Sequence, residues 1–145
     1  MLARTFGRLK RSWNERLFDR EAKTILRTRP LTLRNNSPLF LSMIRHRDVT
    51  AYLLAIKSIY TEVGQGRVTI INDGSLMTGD LALLRDHVPG IEVLDIAEIT
   101  TGSCPRGGTW ERLAKIVELS SANNYVIQVD ADILVCRPVP EVVDC

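Results

Sequence analysis

Two carboxylates one residue apart interrupt an apolar run late in the chain, Val129-Asp130-Ala131-Asp132-Ile133-Leu134-Val135. In extended backbone alternate residues share a face, so Asp130 and Asp132 are expected to converge while Ala131 points away. Like charges that close repel, and withdrawal from water would raise both pKa values unless a cation compensates them. A hard divalent cation is the natural partner. Two carboxylates fill only part of an octahedral shell, which suits Mg²⁺ or Mn²⁺ shared with substrate phosphates better than a metal caged by protein. The plain alternative is a solvated Asp-x-Asp turn. The apolar-rich residues before and after the pair weigh against it.

Such a pair has to be carried by something rigid, and the segment from Pro38 onward offers repeated strand-helix units. Leu39-Phe40-Leu41-Ser42-Met43-Ile44 reads as a first strand. A helix follows from Val49 to about Val63, with Asp48 placed to cap it and Gly64 where a C-terminal glycine belongs. Val68 to Ile71 is a second strand, Asn72-Asp73-Gly74-Ser75 a turn, and Thr78 a cap for a helix ending at Pro89-Gly90. Ile91 to Ile96 is the third strand. Thr109 is placed to cap a third helix, on which Leu113, Ile116, Val117 and Ser120 are expected to share one face; Tyr125 to Val129 is the fourth strand. The result is a Rossmann-like parallel sheet with right-handed crossovers and helices on both faces. Ligands bind outside the carboxyl ends of the strands in such sheets, and there Asp130 and Asp132 sit.

Other chemically capable residues carry weaker signals. Gly107-Gly108-Thr109 opens a helix whose free amides could meet a phosphate, but it lacks the spacing of a GxGxxG or GxxxxGK[ST] loop. His46 and His87 have no acidic or cysteine partner at informative spacing and read as surface or helix-end residues. Cys104, Cys136 and Cys145 contain no CxxC pair, and Cys136, in an apolar run, reads as a small core residue.

Composition narrows the classes further. The 145 residues are 45% apolar and 25% charged, as in ordinary soluble domains, so disorder is excluded as the default. A net charge of +2 hides an asymmetry, because residues 1–29 hold nine Lys/Arg against three Asp/Glu and the remainder ten against fourteen. Leu2, Phe6, Leu9, Trp13 and Leu17 form one stripe of an amphipathic helix whose other faces carry Arg4, Arg8, Lys10 and Arg11, and Pro30 ends this arm. The arm, taken as residues 1–34, either lies on an anionic membrane surface or packs on protein, its own domain included. No stretch approaches the ~20 apolar residues of a membrane span and no signal-peptide core is present, so the chain is expected to be soluble and cytoplasmic. The acidic body shows no aromatic residues interleaved with basic ones, which argues against nucleic acid as a partner.

The segment Asn124-Tyr125-Val126-Ile127-Gln128-Val129-Asp130-Ala131-Asp132 with Ile133-Leu134-Val135 resembles the DXD region of GT-A glycosyltransferases, the nucleotide-diphospho-sugar transferase superfamily. Ser42-Met43-Ile44 and Asn72-Asp73-Gly74-Ser75 resemble the loops lining its nucleotide pocket. In layout the likeness covers residues 38–143, although only the DXD region is specific. The resemblance implies transfer from a nucleoside-diphosphate sugar, UDP-linked by analogy, to an unidentified acceptor. It implies that Asp132 coordinates the metal and that Asp130 contacts the metal or the ribose. Asp73 would accept a hydrogen bond from base or ribose, or else serve only its Asp-Gly turn. Arg112 and Lys115 would stand near the sugar or diphosphate, or else form a solvated helix face. No general base is found. In the superfamily the base and acceptor pocket come from a later half, so residues 35–145 read as an incomplete GT-A domain. A sugar-nucleotide nucleotidyltransferase is the alternative enzyme, though Arg45-His46-Arg47-Asp48 lacks the glycine-rich loop such enzymes carry after the first strand. A non-catalytic module docked through the basic arm is the third reading.

Overall fold

The computed structural model describes residues 20–34, 37–107, 109–122 and 124–143. Four strands form one sheet: β1 (Leu39–Ile44), β2 (Arg67–Asn72), β3 (Glu92–Asp95) and β4 (Val126–Gln128). All neighbours are parallel and the order is β3-β2-β1-β4. The helices between them are α1 (Val49–Val63), α2 (Thr78–His87) and α3 (Trp110–Ser121), with a short α4 (Pro140–Val143) after β4. The α/β class, parallel sheet and order of elements expected from sequence are thus present.

The apolar code of the strands explains the layering. Phe40, Ile44, Val68 and Ile70 point to one face, where Tyr52, Leu53 and Ile56 of α1 and Leu84 of α2 cover them. Leu39, Leu41 and Ile71 point to the other, against Ala114, Ile116 and Leu119 of α3. A strand covered on both faces has no reason to alternate with polar residues, and β1 is buried at five of its six positions. Stepping from β1 to β2 to β3 keeps α1 and α2 on one side, and the return to β4 sends α3 to the other. Leu113 and Val117, expected on the packed face of α3, are instead 42% and 65% exposed. The packed side is set by Ala114, Ile116 and Leu119.

Helix ends differ from expectation in instructive ways. Gly64 ends α1 in the left-handed region (φ 77°), donating its N–H to the Tyr60 carbonyl at 2.8 Å, as expected. Asp48 occupies the N-cap position of α1 without a side-chain cap bond, because His46–Asp48 form a 3₁₀ turn running into the helix. Its carboxylate instead meets the Arg45 guanidinium at 3.1 Å and that of Arg47 at 3.6 Å. At α2 the cap position is Met77 rather than Thr78, and Asp80 accepts the Met77 N–H at 2.8 Å.

Leu2 to Leu17, the apolar stripe of the arm, lies outside the described residues. Residues 20–22 are helical and Lys23–Arg27 form a 3₁₀ helix. Ala22 and Ile25 are buried, Leu31 and Leu33 pack on the main core, and Lys57 of α1 holds the segment by donating to Thr28 Oγ1 and the Arg29 carbonyl, each at 2.8 Å. Among the described residues no helix is long and apolar enough to cross a membrane.

Candidate functional site

Strand register decides what stands at the carboxyl edge of the sheet. Ile44 pairs with Asn72 and Asn72 with Asp95, so the next residues in each chain, Arg45, Asp73 and Ile96, emerge in a row. On the other side of β1, Gln128 pairs with Leu41, and Asp130 follows two residues later. The sheet changes winding direction between β1 and β4, which is where an open α/β sheet leaves a crevice. A cleft of about 670 Å³ lies here, lined by Arg45, Asp48, Asp73, Arg112, Asp130 and Asp132 together with Met43, Ile96, Gly107, Thr109 and Ala131.

Of the residues singled out by sequence, Asp73, Arg112, Asp130 and Asp132 are therefore brought together. Lys115 is not among the lining residues. It lies three positions beyond Arg112, about 4.5 Å farther along the helix axis, and pairs with Glu118 at 2.6 Å.

Both acids reach the cleft, but on the exposed turn that was the plain alternative and not as alternate residues of a strand. Regular pairing ends at Gln128; Val129 adds one more bond, its N–H to the Leu41 carbonyl at 2.9 Å, and Ala131 and Asp132 form a turn. Both acidic residues are exposed, the Asp130 side chain at 54%. Buried Val129 anchors the turn: its carbonyl accepts the hydroxyl of fully buried Ser42 at 2.7 Å, fastening β4 to β1 immediately before the acids. Ala131, Ile133 and Val135 pack against the α1 side of the core, which accounts for the apolar residues that follow.

Each acid has its own surroundings. Asp130 Oδ1 receives Arg112 Nη1 at 2.8 Å and Gln128 Nε2 at 3.3 Å. Asp132 has no hydrogen-bond or ionic partner among the described residues. Asp73 Oδ1 accepts the N–H and hydroxyl of Ser75, at 2.9 and 2.6 Å, so it both shapes its turn and lines the cleft.

Glu111 was not anticipated. It is 2% exposed, and Oε1 accepts the Gly107 N–H at 2.6 Å, while Thr109 at the N-cap makes no side-chain cap bond. This exclusion of solvent is local, produced by the loop lying on the side chain rather than by depth in the core. The Gly107 N–H bond, the helix's own backbone N–H and then the Arg106 guanidinium hold its carboxyl below the usual range, with desolvation opposing them. Arg106 binds the Ile99 carbonyl at 2.8 Å, so the loop before α3 is fastened at two points. An acid two residues into a helix behind glycines was the available signal. Arg45 and Asp48 were also readable, since they follow the carboxyl end of β1.

The remaining candidates fall elsewhere. His46 has an acidic partner after all, Asp80, 2.7 Å from Nδ1, and its own N–H donates to Ser75 Oγ at 2.9 Å. Thirty-four residues separate the two, and only the fold joins them. Partial burial opposes ionisation of Asp80, but the Met77 N–H and then His46 hold its carboxyl below the usual value. His87 ends α2 as expected but is buried, with Nδ1 2.9 Å from Lys57 Nζ. Cys136 is exposed rather than in the core, because the chain beyond Val135 leaves the packed layer; Cys104 is exposed as well.

Two carboxylates facing one cleft are hard oxygen donors, and the free carboxylate of Asp132 fits a divalent cation. Among the described residues no three His, Cys, Asp or Glu side chains converge to hold a metal by themselves, so remaining ligands would have to come from substrate or water. Comparison with protein-family models, with curated proteins and with solved structures finds no match to this chain.

Proposed function

We propose that this chain binds a nucleoside-diphosphate sugar, UDP-linked by analogy, together with Mn²⁺ or Mg²⁺, as the donor half of a GT-A-type glycosyltransferase. What supports the reading is one juxtaposition: Asp73, Arg112 and the Asp130/Asp132 pair, from three separate segments of the sequence, line a single cleft at the winding reversal of a parallel sheet. Its charge supports a metal-borne ligand in particular. Four aspartates face two arginines, a net of two negative charges that would repel a bare diphosphate. A divalent cation neutralises that excess.

Asp132 and Asp130 would hold the cation, which when bound supplies Lewis-acid stabilisation of charge developing on the departing diphosphate. Arg112 offers a second positive group to the same phosphates. Asp73, on the β2 side, faces the position of base or ribose. Gly107 and Thr109 border the cleft on a loop clasped by Glu111.

Calorimetric titration of UDP in the presence of Mn²⁺ tests the assignment. Binding is expected to require the metal and to weaken at least tenfold in Asp132→Ala. Heat that is indifferent to both would refute it.

A further inference from the structure

Arg112 holds Asp130 in an incomplete way. A guanidinium can meet a carboxylate with two parallel N–H bonds, yet here Nη1 alone reaches Oδ1, at 2.8 Å. Nε of the same side chain is buried and has no partner. The Arg112 side chain is 19% exposed and that of Asp130 is 54% exposed, so solvent screens the pair on one side. A single-bonded, half-screened pair is easily exchanged. Arg112 therefore supplies Asp130 with the positive charge that a cation would supply, from a position bordering the same cleft.

We propose that the Arg112–Asp130 pair is a charge-exchange latch: a divalent cation takes Asp130 from Arg112, and the released guanidinium turns to the diphosphate that arrives with the metal. This rests on the donor-site reading above and adds a coupling to it. In the resting state the cation must compete with Arg112, so metal alone binds weakly. A diphosphate gives Arg112 another anion and thereby strengthens metal binding; by reciprocity the metal strengthens diphosphate binding by the same factor. Gln128, whose Nε2 donates to the same Asp130 oxygen at 3.3 Å, keeps that carboxylate oriented while its partner changes.

Removing the charge of Arg112 then has two effects of opposite sign. Mn²⁺ binding to the full chain without nucleotide, followed by the loss of the free-ion paramagnetic resonance signal, is expected to become about fivefold or more tighter in Arg112→Met. UDP binding at saturating Mn²⁺ is expected to weaken in the same variant. Unchanged or weaker binding of Mn²⁺ alone in Arg112→Met overturns the latch. Should the substitution disturb packing, the wild-type chain answers by itself: the Arg112 Nε–H resonance, assigned with Arg112→Lys, is expected to shift on adding Mg²⁺ alone. A stationary resonance while Mg²⁺ binds overturns the latch equally. Metal binding that depends on Asp132 but not on Arg112 defeats the latch and leaves the donor site standing. Absence of metal binding with or without UDP defeats both.

Discussion

Glu111 and His87 show how a buried ionisable side chain is put to structural use. Glu111 spends its charge on the Gly107 N–H and so fixes the border of the cleft. In Glu111→Ala this clasp is lost, and tryptic cleavage after the exposed Arg106 is expected to accelerate severalfold while the far-ultraviolet spectrum stays unchanged. His87 works as a neutral acceptor for Lys57, since an ammonium can only donate. Burial first, and the neighbouring ammonium second, push its pKa below the ordinary value of 6.5, against a smaller opposing pull from Asp86. A depressed value means that the unfolded chain takes up the proton first on acidification. Stability present above pH 6.5 is therefore lost as pH falls from there through the lower folded value. Melting temperature is expected to drop as pH falls below 6.5 in the wild type and distinctly less in His87→Gln. Asp130 and Asp132 could be chosen from sequence because residue type and position at a strand end are local properties, whereas Asp73 and Arg112 were chosen on the family resemblance, which also named Lys115, a residue outside the cleft. Glu111, the Asp80 partner of His46 and the exposure of Cys136 depend on loops whose paths no spacing rule encodes.

Strands and helices were the most legible elements where composition left one solution. β1 and α1 fall on their anticipated residues because a six-residue apolar run and a helix closed by Gly64 are strong local signals, even though Asp48 does not cap the helix. The turn carrying the acids was weighed as the alternative and set aside because its apolar flank mimics a strand, whereas Ile133 and Val135 are apolar because they cross to the α1 face. Gly66 illustrates an element junction with no spare room. It enters β2 at φ 131°, and a Cβ there would stand 2.6 Å from Phe40 Cε2 and 2.8 Å from the Pro38 carbonyl oxygen. Gly66→Ala is expected to cost about 2 kcal/mol or more, by combined backbone strain and overpacking. Gly64→Ala, at φ 77° with nothing near its Cβ position, should cost only about 1 kcal/mol. Chemical denaturation of the two variants compares them directly.

Across the whole molecule, charge and architecture are arranged separately. The basic excess belongs to residues 1–29, while the sheet domain carries an acidic excess that includes the cleft. Lys57, through Thr28, Arg29 and His87, fastens the end of the basic segment to helices on the face of the sheet opposite α3. The sheet order, read from sequence only as parallel with helices on both faces, sets how firmly the acids are held. β2 and β1 each have strands on both sides, but β4 pairs over three residues with β1 alone and is an edge strand of the sheet. Asp130 and Asp132 are thus cantilevered from the slenderest beam of the sheet, braced at its root by Ser42. The stiffness of the cleft can be set from that outer edge, by any strand added there, without altering one residue that lines it.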